Sequence, residues 1–183
     1  MNYIGSKLKL CQDFLPTIIK SICGKDLSDK IFCDIFAGTG IVGRTFKTSV
    51  KKVISNDIEY YSYVLNKNYI ENHREISNRD DLITELNNLT LIEDGFIYKN
   101  YCLGGNGERQ YFSDDNGKKI DTIRTTIENW KNERRISDNQ YYFLLCSLLE
   151  SADKVANTAS VYGAYLKSLK KSAQKELILE PAN

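Results

Sequence analysis

The sequence predicts an α/β fold with a parallel sheet, and three observations near its beginning support that prediction. A short, nearly continuous apolar run at residues 30–37 leads into Gly-Thr-Gly at 38–40, as expected of a buried parallel strand that enters a tight turn. A helical pattern follows at 41–47, and a second, β-branched strand at 52–57. Strand, glycine turn, helix and strand within about 30 residues form a βαβ unit.

Composition and charge describe one soluble globular domain. The 183 residues carry a formal net charge of +1, with 42% hydrophobic and 27% charged residues, which excludes collagen-like, low-complexity and wholly disordered chains. No apolar run reaches the roughly 18 residues of a membrane span, and the polar, basic start is not a signal peptide. Five cysteines without Cys-x-x-Cys spacing and a single histidine do not predict a metal site. We therefore expect a soluble, metal-free protein of the reducing cytoplasm.

Helices are predicted on both sides of the βαβ unit. Before it, a helix at 8–23 carries Leu10, Phe14, Ile18 and Ile22 every four residues, and this stripe is expected to lie against the unit. A tyrosine-rich helix at 60–72, a short helix at 80–89, a weak strand at 95–103 and a turn at 104–107 should follow. Two long helices come next. The first carries an apolar stripe from Ile120 to Trp130, and the second begins at a capping box formed by Ser137 and Gln140.

The glycine turn lies where a βαβ unit places its ligand, at the carboxyl end of the first strand. Glycines suit this position because the turn visits positive φ and a ligand must approach the backbone closely. Asp57, at the end of the second strand, follows Gly38 by about 20 residues, the spacing at which a carboxylate accepts hydrogen bonds from both ribose hydroxyls of an adenosine. Asp34 lies inside the first strand, and its burial requires a partner such as a ligand ammonium group or backbone donors.

Two alternatives remain for this turn. Gly43 completes the pattern G-x-G-x-x-G, so a nicotinamide dinucleotide is a competing ligand. A dinucleotide site usually continues an apolar strand directly into the turn, whereas here Asp34 and Phe36 precede the first glycine. A tight strand-to-helix turn that binds no ligand is the simplest alternative.

Several segments, taken in order, resemble a known family. They are Asn2 to Lys7 (N-Y-I-G-S-K), Asp34 to Gly40 (D-I-F-A-G-T-G) and Ser55 to Glu59 (S-N-D-I-E), followed by 116–124, 152–158 and 164–167. Their sequence and order resemble the alpha-group adenine-specific DNA methyltransferases, the relatives of Dam and the FokI-type modification enzymes. The resemblance implies a Rossmann-like, S-adenosylmethionine-dependent methyltransferase core at 1–76, whose sheet we expect to be incomplete. It also implies a mainly helical target-recognition region at 77–175 and the start of a further strand at 176–183.

The resemblance implies S-adenosylmethionine as the cofactor and duplex DNA as the substrate. The implied cofactor-binding residues are Tyr3, Lys7, Asp34, Phe36, Gly38, Gly40 and Asp57. Lys7 would place a cation near the methionine carboxylate, and Asp57 would hold the ribose, with Glu59 as an alternative for that role. The adenine would leave the base stack so that its exocyclic amino group can attack the sulfonium methyl group.

The catalytic tetrapeptide of that family is absent from the sequence. The family uses Asp/Asn-Pro-Pro-Tyr/Phe, whereas the two prolines here, Pro16 and Pro181, lie far apart. No catalytic residue is therefore assigned. We expect a methyltransferase polypeptide that lacks its catalytic part, as a shortened gene product or as one half of an enzyme completed by a second chain. The alternative is a non-catalytic S-adenosylmethionine- or DNA-binding subunit or remnant. A sheet without its later strands should leave Leu177 and Ile178 uncovered and promote self-association.

DNA contact is predicted from a local lysine cluster, because the net charge is close to zero. Lys167, Lys170 and Lys171 would share one helical face and follow the phosphates, although such a run is also typical of a solvated helix surface. A second candidate is the turn at 104–107 with Arg109 and Tyr111, which would form a recognition loop or a plain surface loop.

Overall fold

The computed structural model describes residues 7–106, 109–159 and 162–182, which form two compact units that divide after residue 74. The N-terminal unit contains α1 (Leu8–Gln12), α2 (Phe14–Cys23), β1 (Ile31–Asp34), α3 (Ile41–Phe46), β2 (Lys52–Ser55) and α4 (Tyr60–Asn66), which a π-helical turn (Lys67–Glu71) extends. The C-terminal unit contains α5 (Arg79–Asn87), α6 (Phe96–Tyr101), α7 (Asp114–Asn132) and α8 (Asp138–Val155). The functional boundaries at 76/77 and 175/176 stay a prediction.

The predicted βαβ unit is confirmed in the N-terminal unit. Strands β1 and β2 pair in parallel, with Ile31 opposite Lys52 and Asp34 opposite Ser55, and α3 connects them. Alternate strand residues are half-buried and the residues between them are exposed, so the prediction that the first strand is buried is wrong. The chain is therefore an α/β protein with a small parallel sheet.

A small core joins α3 to the sheet and to the preceding helices. Cys11, Leu27, Val42 and Phe46 are its buried members. The ring of Phe46 stacks on that of Phe32 in β1, with 4.7 Å between ring centroids. This packing fixes the helix that begins directly after the glycine turn.

The single helix predicted at 8–23 is wrong, because the structure divides it at Asp13 into α1 and α2. The backbone of Asp13 leaves the helical region, with φ −136° and ψ −44°. Pro16 explains the break: proline has no N–H to donate to the carbonyl of Gln12, and its ring would clash with that carbonyl in a continuous helix.

The predicted contact face of this segment is also wrong. The stripe of Leu10, Phe14, Ile18 and Ile22 is exposed, with Ile22 reaching 76%. The residues one position further along, Cys11, Leu15 and Ile19, face the core instead. Both sets recur every four residues, so periodicity alone cannot identify the buried one. The exposed stripe is an unpartnered apolar surface within the described N-terminal unit.

We predict that this stripe causes self-association of the chain. Exposed apolar surfaces associate with one another to leave water. Replacing Phe14 and Ile22 together with lysine should shift the species seen by sedimentation velocity from oligomer towards monomer. The control is Ile178→Lys, which changes an isolated exposed residue of the C-terminal unit and should leave the distribution unchanged. A monomeric unaltered chain at all concentrations would contradict the prediction.

The C-terminal unit is built around α7 and α8, its two longest helices, which pack against each other. The predicted apolar stripe of α7 is confirmed, since Ile120, Ile123, Ile127 and Trp130 are all buried. The capping box of Ser137 and Gln140 is also confirmed at the start of α8. None of the helices that the structure describes is long and apolar enough to cross a membrane.

The strand predicted at 95–103 is wrong, because α6 occupies most of this segment. The cause is a long-range cap that the local sequence does not contain. The buried carboxylate of Asp121 in α7 accepts hydrogen bonds from the backbone N–H groups of Ile97 (2.9 Å) and Tyr98 (2.8 Å). These donors belong to the first turn of α6, where a carboxylate stabilises a helix.

The last described segment, 176–182, forms no strand, and helix side chains bind its backbone. The N–H of Leu177 donates to Asn116 (2.8 Å), and that of Leu179 donates to Asn87 (2.8 Å). Leu177 is fully buried, so the prediction that it loses its cover is wrong, while Ile178 is exposed as predicted. Self-association is therefore expected from the α1–α2 stripe rather than from this segment.

Candidate functional site

The glycine turn after β1 has the backbone geometry that the sequence predicts. Gly38 and Gly40 both have positive φ, +52° and +75°. Gly40 also permits a close approach, because a Cβ there would lie 2.8 Å from Oδ1 of Asn66. Any side chain at this position would be strained and would displace Asn66.

Asp57 lies directly against this turn. Its Oδ2 accepts a hydrogen bond from the N–H of Gly38 at 2.7 Å, and its Oδ1 accepts one from the N–H of Glu59 at 3.1 Å. The N–H groups of Glu59 and Gly38 lower the pKa of Asp57, because they stabilise the carboxylate. A carboxylate offers about four acceptor positions, so these two bonds leave capacity for further donors.

Two residues of α4 hold the turn from its other side, and sequence reasoning missed both. The hydroxyl of Ser62 donates to the carbonyl of Gly38 at 2.5 Å, and Nδ2 of Asn66 donates to the same carbonyl at 3.3 Å. Both side chains are buried. The sequence feature that could have identified them is the spacing of Ser62 and Asn66, two polar residues one turn apart in a tyrosine-rich helix.

Three buried polar atoms in this region have no hydrogen-bond partner among the described residues: Asp34 Oδ2, Ser55 Oγ and Asn66 Oδ1. Asp34 and Ser55 are opposite each other at the carboxyl ends of β1 and β2. All three atoms can accept a hydrogen bond, and a buried carboxylate oxygen without a donor is costly. The sheet end therefore fits a ligand that carries donor groups, such as an ammonium group.

Exposed apolar residues flank the turn and the acid. Phe36 precedes Gly38 and is 75% exposed, while Ile58 follows Asp57 and is 95% exposed. Sequence reasoning singled out Phe36 but missed Ile58. Apolar surface beside a polar turn suits a ligand that has both a polar sugar and a flat base.

The other two predicted cofactor residues belong to the start of the chain. Lys7 is exposed and immediately precedes α1, and its carbonyl accepts from the N–H of Cys11. Helix α1 packs against α3, the helix that begins after the glycine turn. Tyr3 lies outside the described residues.

A cavity of about 450 Å³ lies beside this region in the N-terminal unit. It is lined in part by Ser55 and Asn66 and by the basic residues Lys47, Lys51, Lys52, Lys67 and His73. Neither the glycine turn nor Asp57 lines it. The predicted site is the buried glycine turn with the Asp57 carboxylate against it, and it shares only Ser55 and Asn66 with the cavity.

The lysines proposed for DNA contact do not share a helical face. Residues 166–170 are not helical, so that part of the prediction is wrong. Asn157 accounts for the difference, because its Oδ1 accepts from the backbone N–H of Lys170 at 3.0 Å. The ammonium group of Lys170 donates to the carbonyl of Thr158 at 2.7 Å, while Lys167 and Lys171 are exposed. Their role in DNA binding stays a prediction.

A βαβ unit with a glycine turn and an acid just after the second strand is the arrangement by which α/β enzymes bind nucleoside cofactors. Comparison with known families identifies the class. The profile of the D12 class N6 adenine-specific DNA methyltransferases matches residues 3–183. The chain belongs to this family.

Individual relatives agree with this assignment. The Type II methyltransferase M.NlaIII of Neisseria lactamica is 65% identical over 182 residues, which cover 100% of this chain and 54% of that protein. M.CviAII of Paramecium bursaria Chlorella virus 1 is 40% identical over 99% of this chain and 54% of its own length. M.FokI of Planomicrobium okeanokoites is 36% identical over 98% of this chain and 28% of its own length. The chain thus spans about half of the first and second of these relatives, and no solved structure gives a significant match.

Proposed function

We propose that this chain binds S-adenosylmethionine as part of a restriction-modification enzyme that methylates the exocyclic amino group of adenine in duplex DNA. Family membership and the similarity to M.NlaIII support the reaction class. We also propose that the core of the enzyme has a Rossmann-like fold. It is supported by the parallel β1–α3–β2 arrangement, which is the beginning of such a sheet.

The observation that carries the choice of cofactor is the hydrogen bond from Gly38 to Asp57. A dinucleotide site directs the N–H groups of its glycine turn at a pyrophosphate. Here the N–H of Gly38 is bound to a carboxylate, and that of Gly40 donates to the carbonyl of Ala37 at 2.8 Å. A pyrophosphate would therefore meet a negative charge instead of free donors. A sulfonium nucleoside carries no phosphate; it needs acceptors for its ribose and its ammonium group, and a cation such as Lys7 for its carboxylate.

Each residue of the site then has a defined task. Asp57 accepts hydrogen bonds from the ribose hydroxyls, and Asp34 accepts one from the ammonium group of the methionine portion. Gly38 and Gly40 allow close approach of the ligand, and Phe36 covers its apolar part. Lys7 and Tyr3 close the pocket from the N-terminal segment. The bound cofactor supplies an electrophilic methyl group.

Catalytic groups are not assigned to this chain. The amino group of adenine is a weak nucleophile, and acceptors for its protons would have to come from an Asp-Pro-Pro-Tyr type segment, which the 183 residues lack. In M.NlaIII the matched segment makes up 54% of the length of a single polypeptide. That arrangement gives no support to a separate second chain. Lys167, Lys170 and Lys171 remain proposed contacts to DNA phosphates.

Calorimetric titration tests the proposal on the chain as it exists. We expect S-adenosylmethionine and S-adenosylhomocysteine to bind in the micromolar range, typical of enzyme substrates, at about one ligand per chain. Oxidised and reduced nicotinamide dinucleotides should give no heat of binding. Tight binding of a nicotinamide dinucleotide, with none of the sulfur-containing nucleosides, would overturn the proposal.

A further inference from the structure

Three tyrosines form an aromatic cluster at the surface of the C-terminal unit. The ring of Tyr111 is nearly parallel to that of Tyr162, at 6.4 Å and 10°, and meets the ring of Tyr165 edge-on at 5.3 Å. Tyr162 is 47% exposed and Tyr165 is 38% exposed. Tyrosines that serve only a core are more deeply buried, so this tyrosine cluster has surface available for a partner.

A fully buried asparagine holds the cluster together. Nδ2 of Asn157 donates to the carbonyls of Gln110 and Leu166, both at 2.9 Å, and its Oδ1 accepts from the N–H of Lys170 at 3.0 Å. The N–H of Asn157 also donates to the carbonyl of Tyr111 at 2.7 Å. The backbone segments that carry Tyr111 and Tyr165 are thereby fixed against each other. The aromatic surface is organised before any partner binds, which lowers the entropic cost of binding.

Aromatic and cationic residues lie near the tyrosine cluster in the structure or in the sequence, together with one acidic residue, Asp153, whose charge acts on Tyr162. Tyr101 extends the cluster, with its ring 5.7 Å from that of Tyr111, and the guanidinium of Arg109 lies 5.6 Å from the centre of the Tyr101 ring. Lys167 and Lys171 follow Tyr165 closely in the chain and are exposed. Aromatic rings interleaved with cations are the combination by which proteins bind exposed nucleic-acid bases and the adjoining phosphates.

We propose that Tyr111, Tyr162 and Tyr165 stack on a DNA base that becomes exposed when the duplex opens around the target adenine. This inference rests on the proposed function, because only a reaction that takes a base out of the helix leaves unstacked base faces at the site. Arg109 and the nearby lysines neutralise the neighbouring phosphates. Asn157 is a positioning residue that aligns the two tyrosine-bearing segments.

Fluorescence anisotropy with two DNA probes tests this inference. One probe is a short paired duplex, and the other is the same duplex with one adenine opposite an abasic site. The unaltered chain should bind the opened duplex more tightly than the paired one. Replacing both Tyr162 and Tyr165 with leucine should weaken binding to the opened duplex about tenfold and bring the two affinities close together, since stacking is the interaction that is lost.

Matched variants separate stacking from charge and from folding. Replacing both tyrosines with phenylalanine keeps the rings and should retain the preference for the opened duplex. Tyr60→Leu makes the same change at an exposed tyrosine of the N-terminal unit and should have no effect on either affinity. Replacing Lys167 and Lys171 with glutamine should weaken binding to both probes equally, because phosphate contacts do not depend on base exposure.

The outcomes distinguish this inference from the proposed function. If the leucine variant keeps the full preference, or if the unaltered chain shows no preference or binds neither duplex, the inference is overturned. Titration of the same preparations with S-adenosylmethionine then reports on the cofactor site independently. If the chain binds S-adenosylmethionine although the DNA experiment fails, the proposed function is retained. If the unaltered chain does not bind S-adenosylmethionine, the proposed function itself is contradicted.

Discussion

Replacing Asp57 with alanine should weaken the binding of S-adenosylmethionine at least about 100-fold. A hydrogen bond to a charged group contributes about 1.5–3 kcal/mol, and the carboxylate is proposed to accept two such bonds from the ribose. The same substitution removes the acceptor for the N–H groups of Gly38 and Glu59, so the turn also loses its support. Both effects lower affinity. Isothermal titration calorimetry measures it, and circular dichroism checks that the helices remain.

Two further variants refine this prediction. Asp57→Asn keeps one side-chain oxygen that can accept a hydrogen bond. We therefore expect the affinity for S-adenosylmethionine to fall about tenfold, less than in Asp57→Ala. Glu59→Ala is the matched control, because Glu59 contacts Asp57 through its backbone, which the substitution retains. It should change the affinity less than about threefold, as most exposed substitutions do. A large loss in Glu59→Ala with none in Asp57→Ala would assign the ribose contact to Glu59.

Replacing Asn157 with leucine should destabilise the C-terminal unit by about 3 kcal/mol or more. The change leaves the carbonyls of Gln110 and Leu166 and the N–H of Lys170 without their partner. These groups belong to half-buried residues, so each should cost about 1 kcal/mol, the lower end of the range for an unsatisfied buried group. Urea denaturation followed by tryptophan fluorescence measures this loss. The single tryptophan, Trp130, lies in α7 and so reports on this unit.

The control for this experiment is Asn139→Leu, the same change at an exposed position in the first turn of α8. It should alter stability by less than about 0.5 kcal/mol. An Asn157→Leu chain with an unchanged urea midpoint would show that the three hydrogen bonds contribute nothing net to the fold. Asn157 would then not be the residue that holds the tyrosine cluster in place.

Local signals predicted those parts of the fold whose cause is local. The glycine turn follows from the need for positive φ at Gly38 and Gly40, and the start of α8 follows from the capping box of Ser137 and Gln140. The pairing of β1 with β2 follows from two apolar runs joined by a short helix. Asp57 was identified by its spacing from Gly38, which the hydrogen bond between them explains.

The break of the first predicted helix at Asp13 has a local cause, Pro16, but the following failures have long-range causes. Helix α6 forms where a strand was predicted because Asp121, distant in the sequence, caps its first turn. The segment around Lys170 is not helical because Asn157 binds its backbone. Ser62 and Asn66 were missed because their target, the carbonyl of Gly38, is apparent only when α4 has been placed beside the turn. No local pattern encodes any of these contacts.

The most direct measurement is a crystal structure of this chain bound to S-adenosylhomocysteine. Both ribose hydroxyls should lie within about 3 Å of the Asp57 carboxylate, the usual hydrogen-bond distance. The amino group of the homocysteine portion should lie at the same distance from Asp34, with Phe36 and Ile58 against the nucleoside. A nucleoside bound in the basic cavity beside Lys47 and His73, with none at the glycine turn, would contradict this assignment.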